Sequence, residues 1–267
     1  MATDLIGYLL AVLVGVSLGL IGSGGSILTV PILVYVMGVN PILATAYSLF
    51  VVGTTSLVGG VQNAIQKKVD FKTVFIFGIP SIVAVYLTRA YLMPLIPDVL
   101  FSIGDFQFTK PIALMVLFAI VMIFASISMI RPCPHCKDAD AGEIKYNYSM
   151  ILLEGALVGT LTGLVGAGGG FLIIPALVLL AKMPMKLAVG TSLFIIAAKS
   201  LLGFTGDLQG SETIDWTLLS TFTGLSVVGI FIGIFLSKKI EGNKLKSAFG
   251  WFVLVMGIYI LIKELFL

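Results

Sequence analysis

The chain has 267 residues, of which 58% are apolar and only 11% charged, with a net charge of +3. A water-soluble domain carries about a quarter charged residues; this composition excludes a soluble enzyme, a nucleic-acid binder and a disordered protein. With a mean hydropathy of +1.13, the chain calls for lipid as its solvent.

In chain order, the first element is an apolar run over 5–21. It follows Met-Ala-Thr-Asp, which lacks the basic start of a cleavable signal, so none is expected. Next come the cluster Gly22-Ser23-Gly24-Gly25-Ser26 and a short apolar stretch, 26–38. A dozen helical residues rise only about 18 Å, too little to cross a bilayer. Full-length spans are predicted at 42–65, 72–93 and 110–130. The linker 131–146 contains Cys133-Pro134-His135-Cys136. Beyond it the pattern returns: an apolar run over 148–165, the cluster Gly166-Ala167-Gly168-Gly169-Gly170, a short stretch over 170–181, then spans at 187–206, 216–236 and 247–266. Charges gather between these runs. Barrel strands of about ten alternating residues are not seen, so the expected class is an all-α integral membrane protein.

The second half repeats the first. At an ungapped offset of 144, Gly15–Gly25 lies over Gly159–Gly169, Pro31 over Pro175, Leu43-Ala44 over Leu187-Ala188 and Ser48-Leu49-Phe50 over Ser192-Leu193-Phe194. About 18 of roughly 45 positions are identical, a repeat by self-similarity. One inserted residue later, Asp70-Phe71 meets Asp215-Trp216.

Basic residues give the orientation. Loop 66–72 holds three, whereas its counterpart 207–215 is acidic; loop 38–41 holds none, whereas 181–186 holds two. Cytoplasmic loops collect Lys and Arg, so the flipped bias predicts two inverted repeats. Each is a Gly-turn helical hairpin plus three transmembrane spans: 1–130, the cytoplasmic linker 131–146, and 147–267. Twelve basic residues then lie inside, against Arg89, Lys110 and Lys263 outside, and both termini face outward from a cell membrane.

Short, glycine-interrupted segments in matching places of two halves point to a transporter's binding site. Glycines let backbone N–H groups approach a ligand, and a following helix start adds unpaired donors and a positive dipole end. The substrate-binding candidates are therefore Gly22, Ser23, Gly24, Gly25, Ser26, Gly166, Gly168, Gly169 and Gly170. Lys199 joins them because a mid-span cation is costly and usually faces a polar cavity. Ser48 and Ser192 could line a path. Glu154, the one acidic residue in a span away from the end charges Lys263-Glu264, is the candidate for proton coupling.

Cys133 and Cys136 form a C-x-x-C pair suited to thiol redox chemistry, without the surrounding βαβ pattern of a thioredoxin. Zinc needs four ligands, and the linker offers Cys133, Cys136 and His135 with Asp138 as the one further candidate, so no metal site is expected. No G-x-x-x-x-G-K-[ST] sequence is present. The expectation is a transporter that is not an enzyme and needs no cofactor or nucleic acid. The competing classes are a cation or metal transporter and a membrane thiol oxidoreductase.

The paired glycine turns, each followed six residues later by Pro31 or Pro175 and then by Asp70-Phe71 or Asp215-Trp216, resemble the TauE/SafE sulfite exporter family over essentially the whole chain. The resemblance implies a permease for small sulfur-containing anions such as sulfite, organosulfonate or thiosulfate. Cys133-Pro134-His135-Cys136 lies outside the recognised pattern. Substrate, direction, coupling ion and oligomeric state are open at this level.

Overall fold

The computed structural model describes residues 2–22, 24–103, 106–130, 148–166, 168–179, 183–208, 214–237 and 242–266. Its helices are α1 Ala2–Ile21, α2 Gly24–Pro31, α3 Pro41–Ile65, α4 Phe71–Leu87, α5 Met93–Leu95, α6 Lys110–Ile130, α7 Tyr148–Val165, α8 Gly170–Leu179, α9 Met185–Asp207, α10 Trp216–Ser237 and α11 Gly242–Phe266. Two π-helical turns, Ile32–Val36 after α2 and Thr88–Leu92 after α4, continue those helices. Among the described residues, five helices are long and apolar enough to cross a membrane: Pro41–Ile65, Phe71–Leu95, Lys110–Ile127, Leu187–Asp207 and Trp216–Ser237. The sixth expected span coincides with α11. Apart from one short hairpin the described chain is helical, consistent with an all-α integral membrane protein.

Helix starts follow from local chemistry. Asn40 caps α3 by accepting from Ile42 N–H at 2.9 Å, with Pro41 next in the first turn. Asp70 caps α4 through Lys72 N–H at 3.1 Å, and Asp215 caps α10 through Thr217 and Leu218 N–H, both at 3.0 Å. After Pro31, which has no N–H to give, the backbone loosens, and Met37 N–H donates five residues back to Ile32 O at 3.1 Å.

Contacts between the halves come in exchanged pairs. α1 packs on α10 and α7 on α4, while α2 meets α8, α3 meets α9 and α6 meets α11. A Cβ on Gly15 would strike Ser226 O, and one on Gly159 would strike Ser81 O. Small residues here let helix backbones touch, as membrane helices do. Asp70 N–H donates to Thr191 Oγ1 at 2.9 Å, and Asp215 N–H donates to Tyr47 Oη at 2.6 Å. Phe71 lies against Phe194 at 5.5 Å, and Trp216 against Phe50 at 6.3 Å. Each contact maps onto its partner through the offset found in the sequence.

The core lies along the α3–α9 pair, with Leu49, Val52, Ile195 and Ile196 buried. Outward, Phe75, Ile79 and Val83 on α4 and Phe231 and Phe235 on α10 are exposed at four-residue spacing. That apolar girdle is the face a bilayer solvates.

Between the spans predicted at 72–93 and 110–130, the segment 89–110 is more ordered than a plain connecting loop. It is helical to Leu95 and then forms an antiparallel hairpin, β1 Val99–Ile103 with β2 Phe106–Thr109. Its two cations are drawn inward: Arg89 is 2% exposed and Lys110 is 8% exposed. The Lys110 ammonium is satisfied by Met93 O at 2.5 Å.

Candidate functional site

Both glycine turns begin as helix caps. Gly22 N–H donates to Leu18 O at 2.7 Å with φ +77°, and Gly166 N–H donates to Thr162 O at 2.8 Å with φ +72°. A left-handed glycine in this place satisfies a terminal carbonyl and ends the helix. The caps dock reciprocally. A Cβ on Gly22 would lie 2.6 Å from Val189 Cγ1, and one on Gly166 would lie 2.5 Å from Thr45 Cα.

Past the second cap, Gly168 and Gly169 (φ +62° and +61°) lead into α8, where Leu172 and Ile173 N–H donate to Gly169 O at 3.1 and 3.2 Å. Gly169 is walled by the lysine: a Cβ there would sit 2.6 Å from Lys199 Nζ and overlap Thr162 Oγ1. Lys199 is fully buried and donates to Thr162 Oγ1 at 2.9 Å. A Cβ on Gly168 would lie 3.3 Å from Ser26 Cβ, 2.7 Å from Val52 Cγ1 and 3.4 Å from Ile196 Cγ2. The starts of α2 and α8 therefore meet between α3 and α9. Val52 stands eleven residues into α3, about 16 Å along its axis, so the meeting point is deep in the bundle.

Two helix N-termini and one ammonium converge here, and among the described residues no carboxylate pairs with Lys199. The local field is positive, which suits an anion. Gly24, Gly25 and Ser26 are buried at the start of α2, and Gly170 is buried at the start of α8. Ser48 is fully buried one turn from Val52 on α3, and its Oγ has no hydrogen-bond partner among the described residues. Thr55, Ser56 and Ser200 hydroxyls are in the same condition. Buried hydroxyls normally find partners, so this run along α3 and α9 is chemically suited to solvating something polar. Ser192 is different: its hydroxyl donates to Val189 O at 2.8 Å inside its own helix.

The other sequence candidates stand apart. Glu154 is half-buried on α7, eight residues and about 12 Å from Thr162 along the axis, so it does not reach the turns. Ser23, Cys133 and Cys136 lie outside the described residues.

Sequence reasoning missed a second polar cluster. Arg89 Nη1 donates to Asp207 Oδ1 at 3.2 Å and to Thr45 Oγ1 at 3.1 Å. Both charges looked like loop residues because each falls at the end of its apolar run. No sequence signal marked the pair, because only the fold brings α4 and α9 together.

Comparison with known proteins agrees with this architecture. The profile of the family described as Sulfite exporter TauE/SafE matches residues 7–260. A probable membrane transporter protein of Xylella fastidiosa (strain 9a5c) is 30% identical over 253 residues, covering 93% of this chain and 91% of its own. The probable membrane transporter protein YunE of Bacillus subtilis (strain 168) is 27% identical over 283 residues, with 96% and 97% covered. One from Methanocaldococcus jannaschii is 27% identical over 270 residues, covering 95% of each. No solved structure matches. With the profile spanning both glycine turns and nearly every helix, the chain belongs to the sulfite exporter TauE/SafE family of membrane transporters.

Proposed function

We propose that the protein is a secondary permease for small sulfur-containing anions (sulfite, organosulfonate or thiosulfate), bound between the turns at Gly22–Ser26 and Gly166–Gly170. The observation that carries this reading is the Lys199 ammonium against Gly169, at the start of α8 and opposite Ser26. Backbone N–H groups of the two helix starts supply donors, Ser26 and Ser48 supply hydroxyls, and the lysine supplies counter-charge. A cation carrier would place carboxylates at this point instead.

The two halves, 1–130 and 147–267, are read as inverted repeats joined by a cytoplasmic linker at 131–146. The exchanged contacts of α1 with α10 and of α7 with α4, and the mirrored bonds to Asp70 and Asp215 N–H, support this. The flipped basic bias supports both termini lying outside the cytoplasmic membrane. A monoanion leaving a cell with an inside-negative potential gains about 2.3 kcal/mol per 100 mV. Export therefore runs without ATP, and only inward accumulation needs a coupled ion.

Uptake of labelled sulfite, methanesulfonate and thiosulfate into proteoliposomes tests the function. Anion flux that survives Cys133→Ser/Cys136→Ser and falls with Lys199→Met is expected. Divalent-cation flux without anion flux would overturn the proposal, and so would loss of all activity on replacing the cysteines.

A further inference from the structure

Arg89 carries more than a structural ion pair. Its side chain is fully buried, yet only Nη1 is engaged, by Asp207 Oδ1 and Thr45 Oγ1. Nε and Nη2 are buried with no hydrogen-bond partner among the described residues, and Asp207 Oδ2 is likewise unpartnered. Nε–H and Nη2–H lie on one edge of the guanidinium, the side-on fork that receives two oxygens of one oxyanion. The edge left open is the one that matches such a ligand.

The surroundings hold that edge in place. Thr45 is fixed in turn by donating to Ile42 O at 2.7 Å. Arg89 lies on the π-helical turn Thr88–Leu92, a distortion that often marks functional positions. Close packing seats that turn on two neighbours. A Cβ on Gly206 would lie 2.9 Å from Arg89 Cβ, and one on Gly163 would lie 2.7 Å from Thr88 Cβ. Thr45 also backs directly onto Gly166, the first glycine of the second turn. The matching positions at the other end of the bundle are Ile234, Val189 and Asn63, which offer no cation.

We propose that Arg89 is a second binding station for oxyanions, oriented by Asp207 and Thr45. It binds two oxygens of a sulfite- or sulfonate-type group through Nε and Nη2, between the second glycine turn and the outer face. This deepens the anion-permease reading and rests on it. A two-point fork discriminates by shape: it favours oxyanions with two accessible oxygens over a spherical halide of equal charge.

The test is binding by purified protein of sulfite, methanesulfonate and, as the shape control, chloride. Arg89→Lys keeps the charge and loses the fork; we expect oxyanion affinity to fall about ten- to a hundredfold with chloride affinity unchanged. Arg89→Gln/Asp207→Asn removes both charges without stranding either, and is expected to lose the second oxyanion bound per chain while keeping the one at the glycine turns and staying monodisperse. Two oxyanions bound per chain at unchanged affinities in either variant overturn the proposal. A third measurement needs no substitution: selenate soaked into the unaltered protein should give anomalous density within hydrogen-bond distance of Arg89 Nε and Nη2. Selenate found at the glycine turns but not at Arg89 refutes the second station and leaves the permease reading intact. Unaltered protein that binds none of these anions defeats both.

Discussion

The Lys199 ammonium donates to Thr162 Oγ1 while resting against Gly169, so one buried cation joins the end of α7, the start of α8 and the middle of α9. If the anion sits at this junction, the Coulomb term scales with ligand charge. Lys199→Met should then weaken a dianion more than a monoanion, with a loss of about tenfold or more for the former. Calorimetric titration with thiosulfate and methanesulfonate measures the split; equal affinities in a folded variant would remove the lysine from the site.

Gly169→Ala should be far more harmful than alanine at an open helical glycine. Its φ of +61° imposes roughly 1–2 kcal/mol of strain on any L side chain, and the new Cβ would push on Thr162 Oγ1 and Lys199 Nζ. Gly78 and Gly224 have nothing within 4 Å of an added Cβ, so alanine there should be neutral or stabilising by up to about 1 kcal/mol. Melting temperatures of the three variants in detergent decide this. Equal behaviour would show the turn to be more open than its geometry implies.

The helices of this fold are legible in the sequence because apolar run length is a direct consequence of bilayer thickness. The repeat is legible because Gly, Pro and Ser positions recur together, and Lys199 because charge inside a span is rare. Arg89 and Asp207 were not, since charge at a run's end looks the same whether it meets water or a neighbouring helix. The β1–β2 hairpin did leave a mark: Gly104-Asp105 between two β-branched and aromatic runs is a hairpin dipeptide. It was masked by the expectation of a plain loop between spans. The π turn at Thr88–Leu92 has no sequence signature of its own.

The inverted arrangement predicts opposite exposure of corresponding loops. In a chain with Cys133 and Cys136 changed to Ser, Leu208→Cys should react with a membrane-impermeant maleimide added outside intact cells. Gln66→Cys should react only after permeabilisation. Both residues are exposed, so access depends on membrane side and not on burial. Labelling of both from one face would contradict the hairpin-plus-three-spans order.

Between Tyr35 and Glu264 a 2.7 Å hydrogen bond ties the end of the first hairpin to the last helix, and Lys263 Nζ lies 4.2 Å from the Tyr35 ring centroid. A bond to a carboxylate is worth about 1.5–3 kcal/mol, so Tyr35→Phe should lower stability by up to that amount while keeping the ring contacts. Glu264→Gln retains an acceptor and should cost less. If both melt like the unaltered protein, this tie does not hold the hairpin.

The mirrored bonds to Asp70 and Asp215 N–H allow a test of independence between the two ends. Tyr47→Phe deletes the acceptor for Asp215 N–H, and Thr191→Val deletes the acceptor for Asp70 N–H. Each leaves a backbone donor without its partner at the residue that caps the next helix, half-buried at Asp70 and exposed at Asp215, a loss of roughly 0.5–1.5 kcal/mol. In the inverted arrangement the two bonds stand at opposite faces of the membrane, too far apart to share partners. Effects at such separated sites add to within about 0.5 kcal/mol. The double variant should therefore lose the sum of the single losses, read as midpoints of reversible unfolding in mixed micelles. Strong coupling between them would mean that the two ends communicate through the α3–α9 pair, which carries Tyr47 on one helix and Thr191 on the other.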